Sequence, residues 1–227
     1  MSSPRLSRVF LFSGMGADRR LLGPLRAQGF ELLFPDHLAP QDRESLIAYA
    51  ERTAEAHRIG PDDVVGGASF GGMLAAQISS RRKVAGVILL ASCHRPGRLP
   101  GAYRAVELLS RVVPDAFIGV RSWRPLLRAR MGPVDRITED LLVEMAAGYS
   151  PEKLRRFGRM IVEWPGVETF PCPMLAVHGA EDRVLPSRCI DAHLVLPRAG
   201  HAFTLTHSEP INAAIRDFLT RLAESES

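Results

Sequence analysis

The stretch Asp63-Val64-Val65-Gly66-Gly67-Ala68-Ser69-Phe70-Gly71-Gly72 leads from a buried apolar run into the helix-like sequence at 73–78. A serine reacts only if its hydroxyl projects free of its neighbours, which requires a sharp, strained turn of the backbone. Flanking glycines let the strand and the helix approach closely at such a turn. The spacing Gly-x-Ser-x-Gly therefore predicts a displayed nucleophile at Ser69. A plain glycine-rich turn has the same spacing, so the flanking elements and partner residues must decide.

Six apolar runs of strand length alternate with stretches that carry apolar residues at helical spacing. The strand candidates are 7–12, 31–34, 63–66, 84–91, 173–177 and 192–196, and the helix candidates are 18–28, 43–58, 72–81 and 211–222. The strand candidates are mostly continuous in hydropathy, which is typical of strands buried on both faces. The pattern predicts an α/β fold with a mostly parallel sheet of about six strands, covered by helices on both faces.

The segment 94–170 interrupts this alternation, because it holds no good strand candidate and several amphipathic stretches. Their apolar positions are Tyr103, Val106 and Leu109, then Leu141, Leu142 and Met145, then Leu154, Phe157 and Ile161. Ser150-Pro151 has the pattern of an N-cap followed by proline at the first helical position. We predict a helical insertion at 94–170 between two core strands, with the core formed by 1–93 and 171–227.

Length and composition are those of one globular fold. The chain has 227 residues, of which 46% are apolar, enough for one sizeable core. The apolar stretch at 9–12 is too short for a secretory h-region, and no run approaches the roughly 20 residues of a membrane span. Cys93, Cys172 and Cys189 lack the spacing of a disulfide framework or a metal site. We expect a cytoplasmic protein with reduced cysteines and without a metal or cofactor.

The net charge of +4 comes from the predicted insertion. Segment 94–170 has 13 Lys and Arg against 9 Asp and Glu, whereas the rest of the chain has 16 of each. Arg121, Arg124, Arg128 and Arg130 form a dense basic run within it. Such a patch favours an anionic substrate or an acidic partner, but a solvated arginine-rich helix surface has the same composition. The chain has no nucleic-acid-binding motif, so DNA and RNA are not expected partners.

A serine hydroxyl is a poor nucleophile near neutral pH, so Ser69 needs a general base and an acid that orients the base. His201 is the best base, because it follows the strand candidate 192–196 and α/β sheets place their sites at such strand ends. His207, at the start of the last helix, is the alternative. For the acid, Asp182 lies just beyond the strand candidate 173–177, and spacing alone does not exclude the adjacent Glu181.

The order Ser69, Asp182, His201, with each residue after a separate strand, closely resembles the α/β-hydrolase superfamily. The resemblance covers nearly the whole chain and implies a Ser69–Asp182–His201 triad with a helical cap at the predicted insertion. Its four motifs, in chain order, are Ser13-Gly14-Met15-Gly16, Gly67-Ala68-Ser69-Phe70-Gly71-Gly72, His178-Gly179-Ala180-Glu181-Asp182-Arg183 and Gly200-His201.

The same resemblance implies an oxyanion hole made of two backbone N–H groups. They belong to Phe70, directly after the serine, and to Met15 in the first loop. Family members commonly have His-Gly at the first loop, where this chain has Ser13-Gly14, so the hydrogen bonds that support this loop are expected to differ. The chain begins close to the strand that is usually third in the family, which implies a compact member with about six strands.

These features favour a serine hydrolase that cleaves a carboxylic ester of a small to medium acyl or aryl substrate through an acyl-enzyme on Ser69. The triad specifies the mechanism and not the acyl group, so an amide, a thioester or a carbon–carbon bond next to a ketone stays open. The basic insertion also resembles, in a general way, that of pimeloyl-acyl-carrier-protein methyl ester esterases, which implies an acidic carrier protein as partner. A further alternative is a non-catalytic member of the fold that binds a ligand.

Overall fold

The computed structural model describes residues 8–98 and 124–225. Its six strands are β1 (Arg8–Phe12), β2 (Leu32–Leu33), β3 (Asp63–Ala68), β4 (Gly86–Leu90), β5 (Met174–Gly179) and β6 (Leu194–Leu196). They form one parallel sheet with the order β2-β1-β3-β4-β5-β6. Each strand overlaps one of the predicted apolar runs, and the predicted α/β architecture is confirmed.

Both faces of the sheet are buried, which explains why the strand sequences are continuously apolar. Consecutive residues of a strand point to opposite faces. In β3, Val64 packs in one buried cluster with Leu11 and Ile88. Its neighbour Val65 belongs to a separate buried cluster on the other side, with Phe10.

Helices cover both faces of the sheet, as predicted. They are α1 (Leu46–Ala56), α2 (Phe70–Arg81), α3 (Arg124–Met131), α4 (Arg136–Ala147), α5 (Pro151–Glu163), α6 (Phe203–Thr206) and α7 (Ser208–Ser225). Helix α7 buries Ile211 and Ile215 in the Val64 cluster. Helices α1 and α2 bury Leu46 and Leu74 in the Val65 cluster. Among the described helices, none combines the length and the apolar character that crossing a bilayer requires.

The predicted helix at 18–28 is wrong. The chain there forms a single turn of 3-10 helix, Arg19–Leu22, followed by turns. Pro24 is the physical reason, because proline has no N–H for an α-helical hydrogen bond and its ring clashes with the preceding turn. The short helix instead ends with a tight bond of 3.2 Å from the Gly23 N–H to the Arg20 carbonyl oxygen.

Helices α3, α4 and α5 lie between β4 and β5, within the predicted insertion. The predicted N-cap residue of α5 is confirmed. The Ser150 hydroxyl oxygen accepts the Lys153 N–H at 3.2 Å, and Pro151 is the first helical residue. The two sides of the segment meet where the Val167 N–H donates to the His94 carbonyl oxygen at 2.7 Å. The predicted stretch at 103–109 lies outside the described residues, and the boundaries 94–170 stay a prediction.

The parallel sheet brings three loops to the same edge, because the carboxyl ends of its strands all point one way. Ser69 follows β3 directly and precedes α2, which begins two residues earlier than predicted. Asp182 follows β5 and His201 follows β6. This is the edge at which α/β sheets hold their ligands.

Candidate active site

Ser69 occupies a strained turn between β3 and α2. Its φ of 52° and ψ of −116° lie outside the regions that residues with side chains normally adopt. Strand β4 and the loop after it hold this conformation: the Ser69 N–H donates to the Leu90 carbonyl oxygen at 2.9 Å, and the Ser69 carbonyl oxygen accepts the Ser92 hydroxyl at 2.6 Å. A displayed nucleophile is expected to have such a backbone.

Close packing requires the glycines around Ser69. A Cβ at Gly67 or Gly71 would collide with the Phe12 carbonyl oxygen, and a Cβ at Gly72 would collide with the Ser92 side chain. The two glycines of the pentapeptide therefore allow β1, β3 and α2 to approach one another closely at the point where the serine emerges.

The structure brings His201 to Asp182 and not to Glu181. The His201 Nδ1 lies 2.7 Å from the Asp182 Oδ2. Asp182 is buried, whereas Glu181 is exposed. The other carboxylate oxygen of Asp182 accepts the backbone N–H groups of Val184 and Leu185, each at 2.8 Å. A carboxylate held in this way can orient an imidazole and stabilise its protonated form.

The electrostatics keep Asp182 ionised. Burial alone would raise the pKa of Asp182, but the charge of His201 and the hydrogen bonds from His178, His201 and the Leu185 N–H together hold this pKa well below its usual range. Because the carboxylate keeps its charge at neutral pH, it is available to stabilise an imidazolium at His201.

His178 also contacts Asp182, a role in the site that could not be predicted from the sequence. Its Nε2 donates to the Leu185 carbonyl oxygen at 2.6 Å and lies 3.2 Å from the Asp182 Oδ2. The ring is completely buried. His178 opens the motif quoted at 178–183, but its place within an apolar strand gives no sign of its partners.

The other candidate base, His207, lies between α6 and α7. Its Nδ1 is 2.8 Å from the Thr206 hydroxyl oxygen. In the described chain its ring is thus paired with a hydroxyl and not with a carboxylate. The geometry favours His201 over His207 as the base.

Ser69 and His201 line a common cavity of about 100 Å³. The remainder of its wall is apolar, formed by Gly14, Met15, Gly16, Ala17, Leu21, Ala68, Met131, Leu142, Ala146 and Ala202. Three larger grooves, of about 380, 560 and 210 Å³, have neither Ser69 nor His201 in their walls. The small cavity is therefore the candidate active site. Within residues 8–98 and 124–225, the His201 ring bonds to Asp182 and not to the Ser69 hydroxyl; catalytic hydrogen bonds often tighten only when substrate binds.

The end of α3 packs on the loops that carry Asp182 and His201. The His201 N–H donates to the Met131 carbonyl oxygen at 2.6 Å. Gly132 has a φ of 80°, and a Cβ there would collide with the Glu181 carbonyl oxygen. Part of the predicted insertion therefore belongs to the wall of the candidate active site.

Of the two residues predicted for the oxyanion hole, Phe70 directly follows Ser69 and Met15 lines the cavity. Phe70 is the first residue of α2, so its N–H has no partner within the helix. Met15 lines the cavity and is 42% exposed. The loop with Met15 is braced at Ala17, whose carbonyl oxygen accepts the Ser13 hydroxyl at 2.9 Å and the Tyr149 hydroxyl at 2.7 Å. The oxyanion hole itself stays a prediction.

Comparison with known proteins identifies the family. A model of the alpha/beta hydrolase family matches residues 8–214. The chain belongs to the alpha/beta hydrolase family. The resemblance inferred from the four sequence motifs is thus confirmed for this alpha/beta hydrolase. A comparison with curated proteins gives no significant match.

Solved structures share the fold of this alpha/beta hydrolase at low sequence identity. A thermophilic esterase from Thermogutta terrifontis has 22% identity and a TM-score of 0.73, over 95% of this chain and 90% of the esterase. An enol-lactonase from Burkholderia xenovorans LB400 has 14% identity and a TM-score of 0.72, over 93% and 90% of the two chains. A bromoperoxidase from Bacillus anthracis has 16% identity and a TM-score of 0.69, over 94% and 92%. These neighbours carry different activities, so the reaction must be argued from the site.

Proposed function

We propose that this alpha/beta hydrolase is a serine hydrolase that cleaves a carboxylic ester through an acyl-enzyme on Ser69. One observation carries the proposal: a strained serine and a carboxylate-bound histidine line the same apolar cavity. A serine in this conformation costs on the order of 1–3 kcal/mol. A binding module has no evident use for that strain, which disfavours the non-catalytic alternative.

The proposed reaction has two halves that use the same residues. His201 Nε2 takes the proton of the Ser69 hydroxyl while the serine oxygen attacks the ester carbonyl carbon, and Asp182 stabilises the resulting imidazolium. The N–H groups of Phe70 and Met15 donate to the negative oxygen of the tetrahedral intermediate. His201 then protonates the departing alkoxide, which leaves as the alcohol. Water, deprotonated by His201, attacks the acyl-enzyme and releases the acid and the free serine.

A fluorophosphonate probe tests this proposal, because it reacts covalently only with an activated serine. We expect wild type to be labelled at Ser69 and the Ser69→Ala variant to stay unlabelled, as measured by intact-mass and peptide mass spectrometry. The exposed Ser80 lies in α2, the helix that follows Ser69, and outside the cavity. The Ser80→Ala variant should therefore be labelled to the same extent as wild type. A wild type that resists the probe, or one labelled elsewhere, contradicts the assignment.

The cavity indicates the size and charge of the acyl group. Its volume of about 100 Å³ is below the roughly 300–1,000 Å³ of pockets that hold drug-sized ligands. Among the described residues, the wall of this cavity has no Asp, Glu, Lys or Arg side chain. We therefore propose a short, uncharged acyl group as the preferred substrate part.

A larger side chain at Ala146 should shorten the accepted acyl chain. Ala146 lies on α4 and lines the cavity, so Ala146→Leu would fill space that a butyryl group uses and an acetyl group does not. We expect the butyrate-to-acetate ratio of kcat/KM for aryl esters to fall about tenfold. The neighbouring exposed Ala147 provides the control, since Ala147→Leu should leave the ratio unchanged. An unchanged ratio in Ala146→Leu would place the acyl group elsewhere.

A carrier protein is not part of this proposal. In the basic run, Arg121 lies outside the described residues, and Arg128 bonds to the buried Glu139 with its Nε at 2.9 Å. Arg156 of the same segment pairs with Glu152 and donates to the Pro40 carbonyl oxygen. These arginines serve contacts within the protein, and no observation on the described residues favours an acidic partner over a free ester.

A further inference from the structure

His37 contacts the two chain segments that carry the proposed oxyanion donors. It lies in the loop after β2; the residue as a whole is half-buried, and its ring is packed among aromatic side chains. The ring centroids of Phe12, Phe70 and Phe157 lie 6.3, 5.3 and 5.5 Å from that of His37. The proposed mechanism gives this histidine no proton to transfer.

The first contact fixes the loop after β1. His37 Nε2 lies 2.9 Å from the carbonyl oxygen of Ser13. A carbonyl oxygen can only accept, so Nε2 must carry the proton and donate it. Ser13 directly precedes Gly14-Met15, and the Met15 N–H is one of the two proposed donors. The hydrogen bond therefore restrains the peptide that leads into this donor.

The second contact reaches the other donor. The His37 ring packs against the ring of Phe70 at an interplanar angle of 57°. Phe70 is fully buried and supplies the second proposed N–H. Phe157 of α5 completes the packing, with its ring 4.9 Å from that of Phe70. One imidazole thus touches both segments, which are far apart in the sequence.

The neutral form of the ring suits this role. Burial lowers the pKa of His37 to about 4, so one ring nitrogen donates and the other accepts near pH 7. The unprotonated Nδ1 lies 3.5 Å from the hydroxyl oxygen of Tyr49, whose proton is donated to the Leu38 carbonyl oxygen at 3.1 Å. Lys153 and Asp36 are the charged groups whose fields act on the ring, in opposite directions. A ring without charge fits the aromatic surroundings.

We infer that His37 is a positioning residue that aligns the two oxyanion donors, Met15 and Phe70, for attack by Ser69. The inference rests on the proposed serine hydrolase function. Misplacing such donors by about 1 Å can cost on the order of 100-fold in rate.

The test separates positioning from folding by comparing transition-state and ground-state binding. In His37→Leu we expect kcat for a short aryl ester to fall about 30-fold with KM nearly unchanged. The Ki of trifluoromethyl propyl ketone, which forms a tetrahedral oxyanion on the serine, should rise in parallel, whereas the affinity for the corresponding alcohol should not change. His37→Gln, which can place an N–H near the Nε2 position, should recover most of the loss.

A matched histidine provides the control. His57 packs against the same Phe12 ring at 6.0 Å, and its Nε2 has no hydrogen-bond partner in the described chain. His57→Leu should therefore keep wild-type kcat. If His37→Leu does not fold, the pair His37→Gln and His37→Asn repeats the comparison, because the asparagine amide is too short to reach Ser13. Two results would overturn the inference about His37 and leave the proposed function intact. In one, wild type is active and the His37 variants are equally active; in the other, His37→Leu loses affinity for the ketone and for the alcohol to the same extent. A wild type without esterase activity overturns the proposed function as well.

Discussion

Replacement of Ser69 by alanine is expected to lower kcat for a short-chain aryl ester by about 10⁴-fold or more, because no other described residue of the cavity wall has a hydroxyl or thiol that could form the acyl-enzyme. The measurement is the steady-state rate of ester hydrolysis. A mock purification from cells without this protein gives the background rate of contaminating esterases, which is subtracted. KM for the residual reaction should stay within a few-fold of wild type, since the cavity keeps its shape. A Ser69→Ala protein that retains a tenth of the activity would show that the nucleophile lies elsewhere.

A glycine at position 69 would measure the strain in the backbone of Ser69. Glycine adopts a positive φ without steric cost, so Ser69→Gly should be inactive but more stable than Ser69→Ala by on the order of 1 kcal/mol. Chemical denaturation of the two variants measures this difference. The φ of 52° at Ser69 predicts the sign. Equal stabilities would argue that the turn is relaxed.

Much of the fold could be predicted because burial on two faces leaves a strong signal. Val64 and Val65 point to opposite clusters, so both must be apolar and β3 appears in the sequence as a continuous run. Helix prediction failed at 18–28, where spaced apolar residues are buried without an α-helix. The spacing of apolar residues at 18–28 is that of a helix, but Pro24 decides the local structure through its missing N–H.

The proposed nucleophile, acid and base could be picked out because each follows a strand at the carboxyl edge. The residues that support these three, His178 and His37, could not be predicted in this way. His178 and His37 act through contacts to Asp182, Ser13 and Phe70 that depend on how strands lie side by side. No spacing rule in one sequence indicates that position 37 lies beside positions 13 and 70. Choosing between Asp182 and Glu181 likewise required knowing which side chain is buried.

Replacement of Asp182 by asparagine is expected to lower kcat by about 10⁴-fold with little change in KM. An asparagine can keep accepting the N–H groups of Val184 and Leu185 through its oxygen, so the loop should hold its shape. Its amide N–H₂ would then face His201 Nδ1 and favour the tautomer with the proton on Nε2. In that tautomer His201 cannot take the proton of Ser69, and the variant lacks the charge that stabilises the imidazolium.

The adjacent exposed carboxylate supplies the control for this prediction. Glu181→Gln removes the same charge one residue away and should keep kcat within about twofold, because its side chain lies outside the cavity. Acid titration of stability gives a second readout. The pKa of Asp182 is lowered on folding, so its ionisation stabilises wild type above its unfolded pKa of about 3.9. That contribution is lost progressively as the pH falls below this value, whereas Asp182→Asn has none to lose. The difference in unfolding free energy between them should therefore narrow in acid. Full activity in Asp182→Asn together with a large loss in Glu181→Gln would reverse the assignment of the acid.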